Sequence, residues 1–180
     1  MSDYEELMIS SKTIYQGRII NLRVDEVSLP DGKSTNREVV EHAGAVAVVP
    51  LNEKGELLLV RQYRYAVGKN LLEVPAGKLN PGEDYASCAG RELTEETGYE
   101  AGNLKHLLSF YSTPGFTNEQ IHLFLATDLI LKKQNLDDDE FIDVETVSLK
   151  QALGMVLSGE ICDAKSVAGI LTTLNLQREI

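Results

Sequence analysis

Glu92, Glu95 and Glu96 are the side chains in this sequence whose type and spacing best suit chemistry. On a helix turning about 100° per residue, Glu92 and Glu96 are i,i+4 neighbours and Glu95 projects between them. Three carboxylates then share one narrow stripe, while Ala86, Ala89 and Leu93 form a separate apolar stripe able to face a core. Like charges at i,i+4 cost an isolated helix roughly 0.2–0.5 kcal/mol per pair, so such stacking calls for cations. The three glutamates alone leave two readings open. One is a solvated acidic face. The other is a hard-oxygen site for Mg²⁺ or Mn²⁺, ions held by a few carboxylates, waters and substrate phosphates.

The surrounding spacing decides between them. From Gly77 to Tyr99 the chain fits the pattern Gly-x5-Glu-x7-Arg-Glu-U-x-Glu-Glu-x-Gly-U, read as Gly77, Glu83, Arg91, Glu92, Leu93, Glu95, Glu96, Gly98 and Tyr99. Tyr99 is the one mild departure, where a smaller aliphatic residue is more usual. This stretch resembles the Nudix box, the signature of hydrolases that use divalent metals to cleave nucleoside diphosphates linked to another moiety. The resemblance implies that Glu92 and Glu96 are the principal metal ligands, with Glu95 and the backbone carbonyl of Ala76 contributing. It implies that Glu83 and Arg91 support the loop–helix geometry. The chemistry suits the residues: a metal neutralises the diphosphate, activates water and stabilises the leaving oxygen.

The elements that must position this stretch follow from local pattern. Residues 1–44 read as an antiparallel module, with strand segments at Thr13–Tyr15, Ile19–Val24, Val24–Leu29 and Asn36–Glu41 and a turn at Pro30-Asp31-Gly32. Strands this short need a partner to pack on, either the rest of the chain or a second subunit. Residues 45–180 form the second part. Ala45–Pro50 is continuously apolar and reads as a buried strand, with Leu57–Val60 as its hairpin partner. A helix spans about Asp84 to Thr97, with Gly98 at its C-terminal cap. Strands follow at Leu104–Tyr111, Ile121–Thr127 and Phe141–Val147. Ser148-Leu149-Lys150-Gln151 has capping-box form and opens a helix ending near Gly159. A final helix from about Asp163 places Val167, Ile170, Leu171 and Leu174 on one face. Helices on both faces of a mixed sheet is the natural packing, and the resemblance implies the same: an α/β/α Nudix sandwich, α+β in class, with an N-terminal antiparallel β-subdomain.

Composition narrows the partners. With 43% hydrophobic and 25% charged residues in 180, the chain is ordinary for a globular protein of about one domain. A net charge of −11 opposes non-specific binding to nucleic acid or anionic membranes. An anionic small molecule must then be met by metal and a few placed arginines. No apolar run reaches the roughly 18 residues of a membrane helix, the N-terminus lacks a signal-peptide apolar region, and two cysteines without metal-ligand spacing fit a reduced, cytoplasmic setting. Cys88 reads as a small apolar packing residue.

Outside the box, Pro114 lies sixteen residues beyond Gly98 within Ser112–Phe116, a placement similar to that in ADP-ribose pyrophosphatases. The Thr117–Phe124 run and the Ile14–Ile19 opening also resemble that subfamily. The resemblance implies Mg²⁺-dependent hydrolysis of ADP-ribose, or a close nucleoside diphosphate sugar, to AMP and ribose 5-phosphate. It also implies a homodimer with exchanged N-terminal strands. Another hydrolase of the family, for example one acting on GDP-mannose, is the first alternative. A non-catalytic nucleotide-sugar sensor is an alternative of a different class, opposed by the intact box. The subfamily places a glutamate in the loop before the last strand to position the water. Glu140 in Asn135–Glu140 matches, with Asp138 the alternative if the loop shifts. Arg64 and Arg37 are candidate phosphate ligands, and Arg61 is equally a surface charge. Glu73 either holds a ribose or amine edge or forms a core-edge ion pair. Pro114, Gly115 and Phe116 are substrate-loop candidates; Phe116, Tyr15 and Ile19 either cover an adenine ring or simply pack. His42, His106 and His122 lack ligand spacing and read as structural.

Overall fold

A computed structural model describes residues 4–178. The chain divides into two compact units, Met1–Gly44 with Tyr111–Gln120, and Ala45–Phe110 with Ile121–Ile180.

The first unit is an antiparallel sheet of β1 (Leu7–Gln16), β2 (Asn21–Ser28) and β3 (Ser34–Glu41), with β2 in the centre. The turn at residues 29–33 closes through Gly32 N–H donating to Leu29 O at 2.9 Å, with Gly32 at φ 83°. β1 is longer than its local sequence suggests, because pairing with β2 recruits residues that lack alternation. Every residue of β1 is exposed in the single chain, among them Leu7, Met8, Ile9, Ile14 and Tyr15. Residues 113–117 form a turn against the end of β3, where Val40 N–H donates to Phe116 O at 2.8 Å.

In the second unit, β4 (Ala45–Pro50) is the organising strand. It pairs parallel with β9 (Gln120–Leu131) and antiparallel with β7 (Ala76–Lys78), in a sheet ordered β7-β4-β9-β8, where β8 is Tyr99–Tyr111. A second sheet is ordered β10-β5-β6, from Asp143–Ser148, Glu56–Arg64 and Lys69–Glu73. Side chains alternate across β4. Val46 and Val48 pack with Cys88, Ala89 and Leu93 of α1 (Tyr85–Thr97). Ala47 and Val49 pack with Leu57, Leu59 and Leu72, with Leu149 and Ala152 of α2 (Leu149–Ser158), and with Ile170 of α3 (Ala164–Arg178). Helices therefore lie on both faces of a mixed sheet, as the order of elements implies.

Local signals set several ends. Ser148 and Gln151 form the capping box of α2, and Gly98, at φ 73°, closes α1. Other expectations need correction. The apolar face of α1 excludes Ala86, which is exposed; Cys88, Ala89, Leu93, Glu96 and Thr97 are the buried residues. On α3, Leu171 is 44% exposed, whereas Ser166, Ile170 and Thr173 are buried. Small side chains let this helix approach β4 closely: a Cβ on Gly169 would stand 2.7 Å from Val49 Cγ2. Phe141 is exposed and precedes the last strand, which starts at Asp143 opposite Arg61.

Candidate active site

The loop before α1 is prepared locally. Asp84 caps the helix by accepting from Ala86 N–H at 3.1 Å and Ser87 N–H at 3.0 Å. Glu83 accepts from Asn80 N–H at 2.9 Å and takes a two-point bond from Arg91, with Nε and Nη2 each at 2.9 Å. Arg91 Nη1 also donates to Glu92 at 2.8 Å and Glu95 at 2.9 Å. Arg91 is thus the cation that the stacked carboxylates require. It holds the Glu83 carboxyl down at about 2. Its Nη2 reaches Lys78 O at 3.2 Å, tying helix to loop. Cys88 packs beneath, its thiol pushed up to about 12 by burial, as befits an inert core residue.

Glu92 and Glu96 sit differently from an ordinary acidic face. Glu96 is 3% exposed, and its Oε2 accepts from Ala76 N–H at 3.0 Å. Burial pushes its carboxyl up to about 8, with the Glu92 and Glu140 charges acting in the same direction. Burial also raises Glu92, against the pull of Arg91. The Glu92 carboxyl group lies on the backbone at Gly77, in space that any Cβ there would occupy. A glycine at the head of the box is needed for that close approach.

The loop carrying Glu140 is fastened to the end of α1. Asn135 N–H donates to Glu95 O at 3.0 Å, Gln134 Nε2 to Glu96 O at 2.7 Å, and Lys132 N–H to Gly98 O at 2.7 Å. These bonds satisfy carbonyls that a helix end leaves open. Sequence reasoning missed Gln134, whose role depends on a backbone partner 38 residues away. Glu140 closes its own turn, accepting from Asp137 N–H at 3.3 Å. Its charge, and not that of Asp138, is among the largest acting on Glu92 and Glu96.

Arg64 leaves β5 beside a buried ionic cluster. Its Nε and Nη2 donate to Glu73 at 3.2 and 2.7 Å. Glu73 is 1% exposed and also accepts from Lys165 Nζ at 2.7 Å, the ion-pair arrangement among its two readings. The Glu96 charge acts on Arg64. Arg61 is engaged elsewhere, with Glu145 and, at 3.9 Å, Glu160. Arg37 belongs to the first unit, where it grips Glu6 at 2.9 and 2.6 Å. Pro114, Gly115 and Phe116 also belong there, in the turn on β3, with Phe116 exposed. His122 and His106 both bond Ser109, and Tyr85 stacks on His122 at 3.6 Å. His42 Nδ1 accepts from Gly44 N–H.

Among the described residues, no three acidic, histidine or cysteine side chains converge as a ready-made ligand set. Arg91 stands between Glu92 and Glu95, and Glu96 is turned to Ala76. The donor chemistry still fits a divalent cation. Hard carboxylate oxygens on one rigid helix carry more negative charge than Arg91 offsets, and burial together with the Glu92 and Glu140 charges raises the Glu96 carboxyl more than Arg64 and the Ala76 N–H lower it.

Comparison with known proteins places the chain in a family. Residues 41–168 match the NUDIX domain, and residues 8–40 match the nucleoside diphosphate sugar hydrolase N-terminal domain. The chain is 44% identical to an ADP-ribose pyrophosphatase of Bacillus subtilis (strain 168) over 172 residues, covering 94% of this chain and 93% of the relative. It is 44% identical to a methanol dehydrogenase activator of Bacillus methanolicus over 170 residues, covering 93% and 91%. A crystal structure of an ADP compounds hydrolase superposes with a TM-score of 0.87 over 97% of this chain and 95% of that one; at 20% identity it speaks for the fold. Members of the matched family generally use divalent metal ions. With an intact box on the α1 loop–helix and the family model spanning most of its length, the chain belongs to the Nudix hydrolase family.

Proposed function

We propose that this protein hydrolyses the diphosphate of ADP-ribose, or of a close nucleoside diphosphate sugar, to AMP and ribose 5-phosphate. The observation that carries the reading is the buried Glu96 carboxyl, acted on by the Glu92 and Glu140 charges and set on a complete box. The near full-length likeness to an ADP-ribose pyrophosphatase supports the substrate class.

When bound, a Mg²⁺ or Mn²⁺ ion supplies charge neutralisation and Lewis acidity to the diphosphate. Glu92 and Glu96 would hold it, with Glu95 and the Ala76 carbonyl as further oxygen donors. Arg91 keeps Glu92 and Glu95 apart and oriented. Glu140 orients the attacking water and takes its proton, while the bridging diphosphate oxygen leaves with the other phosphoryl group. Arg64 meets phosphate oxygens from the β5 side. Arg37, Pro114, Gly115 and Phe116 are assigned to recognition of the rest of the substrate. The exposed apolar β1 supports a homodimer with exchanged N-terminal strands. Two free cysteines agree with a cytoplasmic setting.

A panel of ADP-ribose, GDP-mannose and other nucleoside diphosphate sugars, incubated with Mg²⁺ and followed by AMP or GMP release, tests this. ADP-ribose should give the highest kcat/KM. Preferred release of GMP overturns the substrate assignment, and no release from any of them overturns the enzymatic one.

A further inference from the structure

The buried cluster behind Arg64 has one member to which neither the box nor the substrate loop gives a task. Lys165 opens the first turn of α3, and its side chain is only 14% exposed. Its Nζ lies 2.7 Å from Glu73 and 2.8 Å from Asp163. Asp163 in turn accepts from Ser166 N–H at 3.1 Å, so its charge rests against the start of α3, where free N–H groups favour an anion. Ser166 Oγ accepts from Val74 N–H at 2.8 Å, which pins the same turn of α3 to the segment between β6 and β7.

Charge accounting gives this arrangement a consequence. Glu73 is buried between two cations, Arg64 on one side and Lys165 on the other. With Arg64 alone, the pair would be neutral, and a buried carboxylate would hold the guanidinium for itself. Asp163, also paired with Lys165, is a second carboxylate of the cluster, so the four groups sum to zero, and without Lys165 they would carry one net negative charge beside Arg64. Arg64 is the exposed member, at 39% of its side chain, and among the described residues its Nη1 donates no hydrogen bond. It also interacts with Glu96 of α1.

We infer that Lys165 is a positioning residue for diphosphate recognition: it neutralises buried Glu73, so that Glu73 orients Arg64 without cancelling the charge Arg64 presents to the substrate's phosphates. This rests on the proposed function for its substrate class.

The test reads phosphate affinity apart from turnover. Binding of inorganic pyrophosphate with Mg²⁺ is measured by calorimetry, alongside KM and kcat for ADP-ribose, in wild type, Lys165→Met, Lys165→Arg and Lys165→Met/Glu73→Gln. In Lys165→Met, the pyrophosphate Kd and the KM should both rise about tenfold while kcat changes less than about threefold, the pattern of lost uniform binding. Lys165→Arg should stay within about twofold of wild type. The double variant removes the surplus negative charge as well, so it should bind pyrophosphate more tightly than Lys165→Met. A folded Lys165→Met with unchanged affinity overturns the inference, as does a double variant weaker than the single one. If Lys165→Met does not fold, the double variant decides: binding near the wild-type value supports the inference, and a loss of tenfold or more overturns it. A wild type that binds no pyrophosphate also overturns it. Pyrophosphate binding without turnover of any nucleoside diphosphate sugar would instead count against the proposed substrate class.

Discussion

Gly77→Ala is the substitution for which the structure gives the sharpest expectation. Gly77 does not sit in the left-handed region, so alanine suits its backbone. The obstacle is the Glu92 carboxyl group, which occupies the position of the new Cβ. Atoms in ordinary contact stand about 3.5–4 Å apart, so the carboxylate must move by more than ~1 Å. It lies at the end of a flexible side chain and can swing away without dragging the helix, so the fold should lose no more than about 1–3 kcal/mol, the usual range for overpacking. Turnover should suffer more, because a displacement of about 1 Å at a positioned catalytic group costs on the order of 10²-fold. Gly154→Ala is the control: it lies inside α2 with open space around the new Cβ, and it should be neutral or slightly stabilising, by about 0.5–1 kcal/mol. The assay is steady-state AMP release beside the thermal midpoint. A Gly77→Ala protein that is folded and within threefold of wild-type kcat would refute the reasoning that the Gly77–Glu92 approach sets the site.

Glu140→Gln should lower kcat by about 10²-fold or more, as loss of a general base does, and by more than Asp138→Asn; the reverse order in the same rate assay moves the base to Asp138. The metal-free protein should be pH-sensitive through Glu96. Its carboxyl rises from an ordinary 4.5 to about 8 on folding, so the fold favours the protonated form. That stability is complete below pH 4.5 and is lost as pH rises through about 8. The melting midpoint of wild type should therefore fall relative to Glu96→Gln between pH 5 and 8.5, with Mg²⁺ reversing the trend; a pH-independent difference between the two contradicts it. Mass photometry should find twice the chain mass in solution, and a stable, active monomer would remove the exchanged-strand dimer.

Much of the second unit was legible because its determinants are local. The apolar run of β4, the Ser148–Gln151 box and Gly98 each act within a few residues, and each element formed where its signal stands. The box was legible for a related reason: a loop and helix that hold carboxylates in register need fixed spacing. What escaped depends on distant partners. Leu171 looked like core, but the close approach at Gly169 turns the Ser166, Ile170 and Thr173 side of α3 inward instead. Ala86 shares the stripe of Ala89 and Leu93 but stays exposed in the folded chain, a difference that spacing along the helix does not carry. Gln134 and Lys165 carry no motif. Their tasks arise from the end of α1 and from buried Glu73, which folding alone brings to them. Glu96 was legible as a ligand candidate but not as a buried group, since its burial comes from tertiary packing and not from spacing along the helix.

The central claim is that this carboxylate cluster hydrolyses a nucleoside diphosphate sugar with a divalent metal. The most direct measurement follows the products of ADP-ribose after incubation with wild type and with Glu96→Gln, each with Mg²⁺ and with chelator, together with a melting curve for each protein. The account predicts AMP and ribose 5-phosphate from wild type with Mg²⁺ alone, and a loss of at least ~10²-fold in folded Glu96→Gln. Product release that survives chelation, or that a folded Glu96→Gln sustains at the wild-type rate, would contradict it.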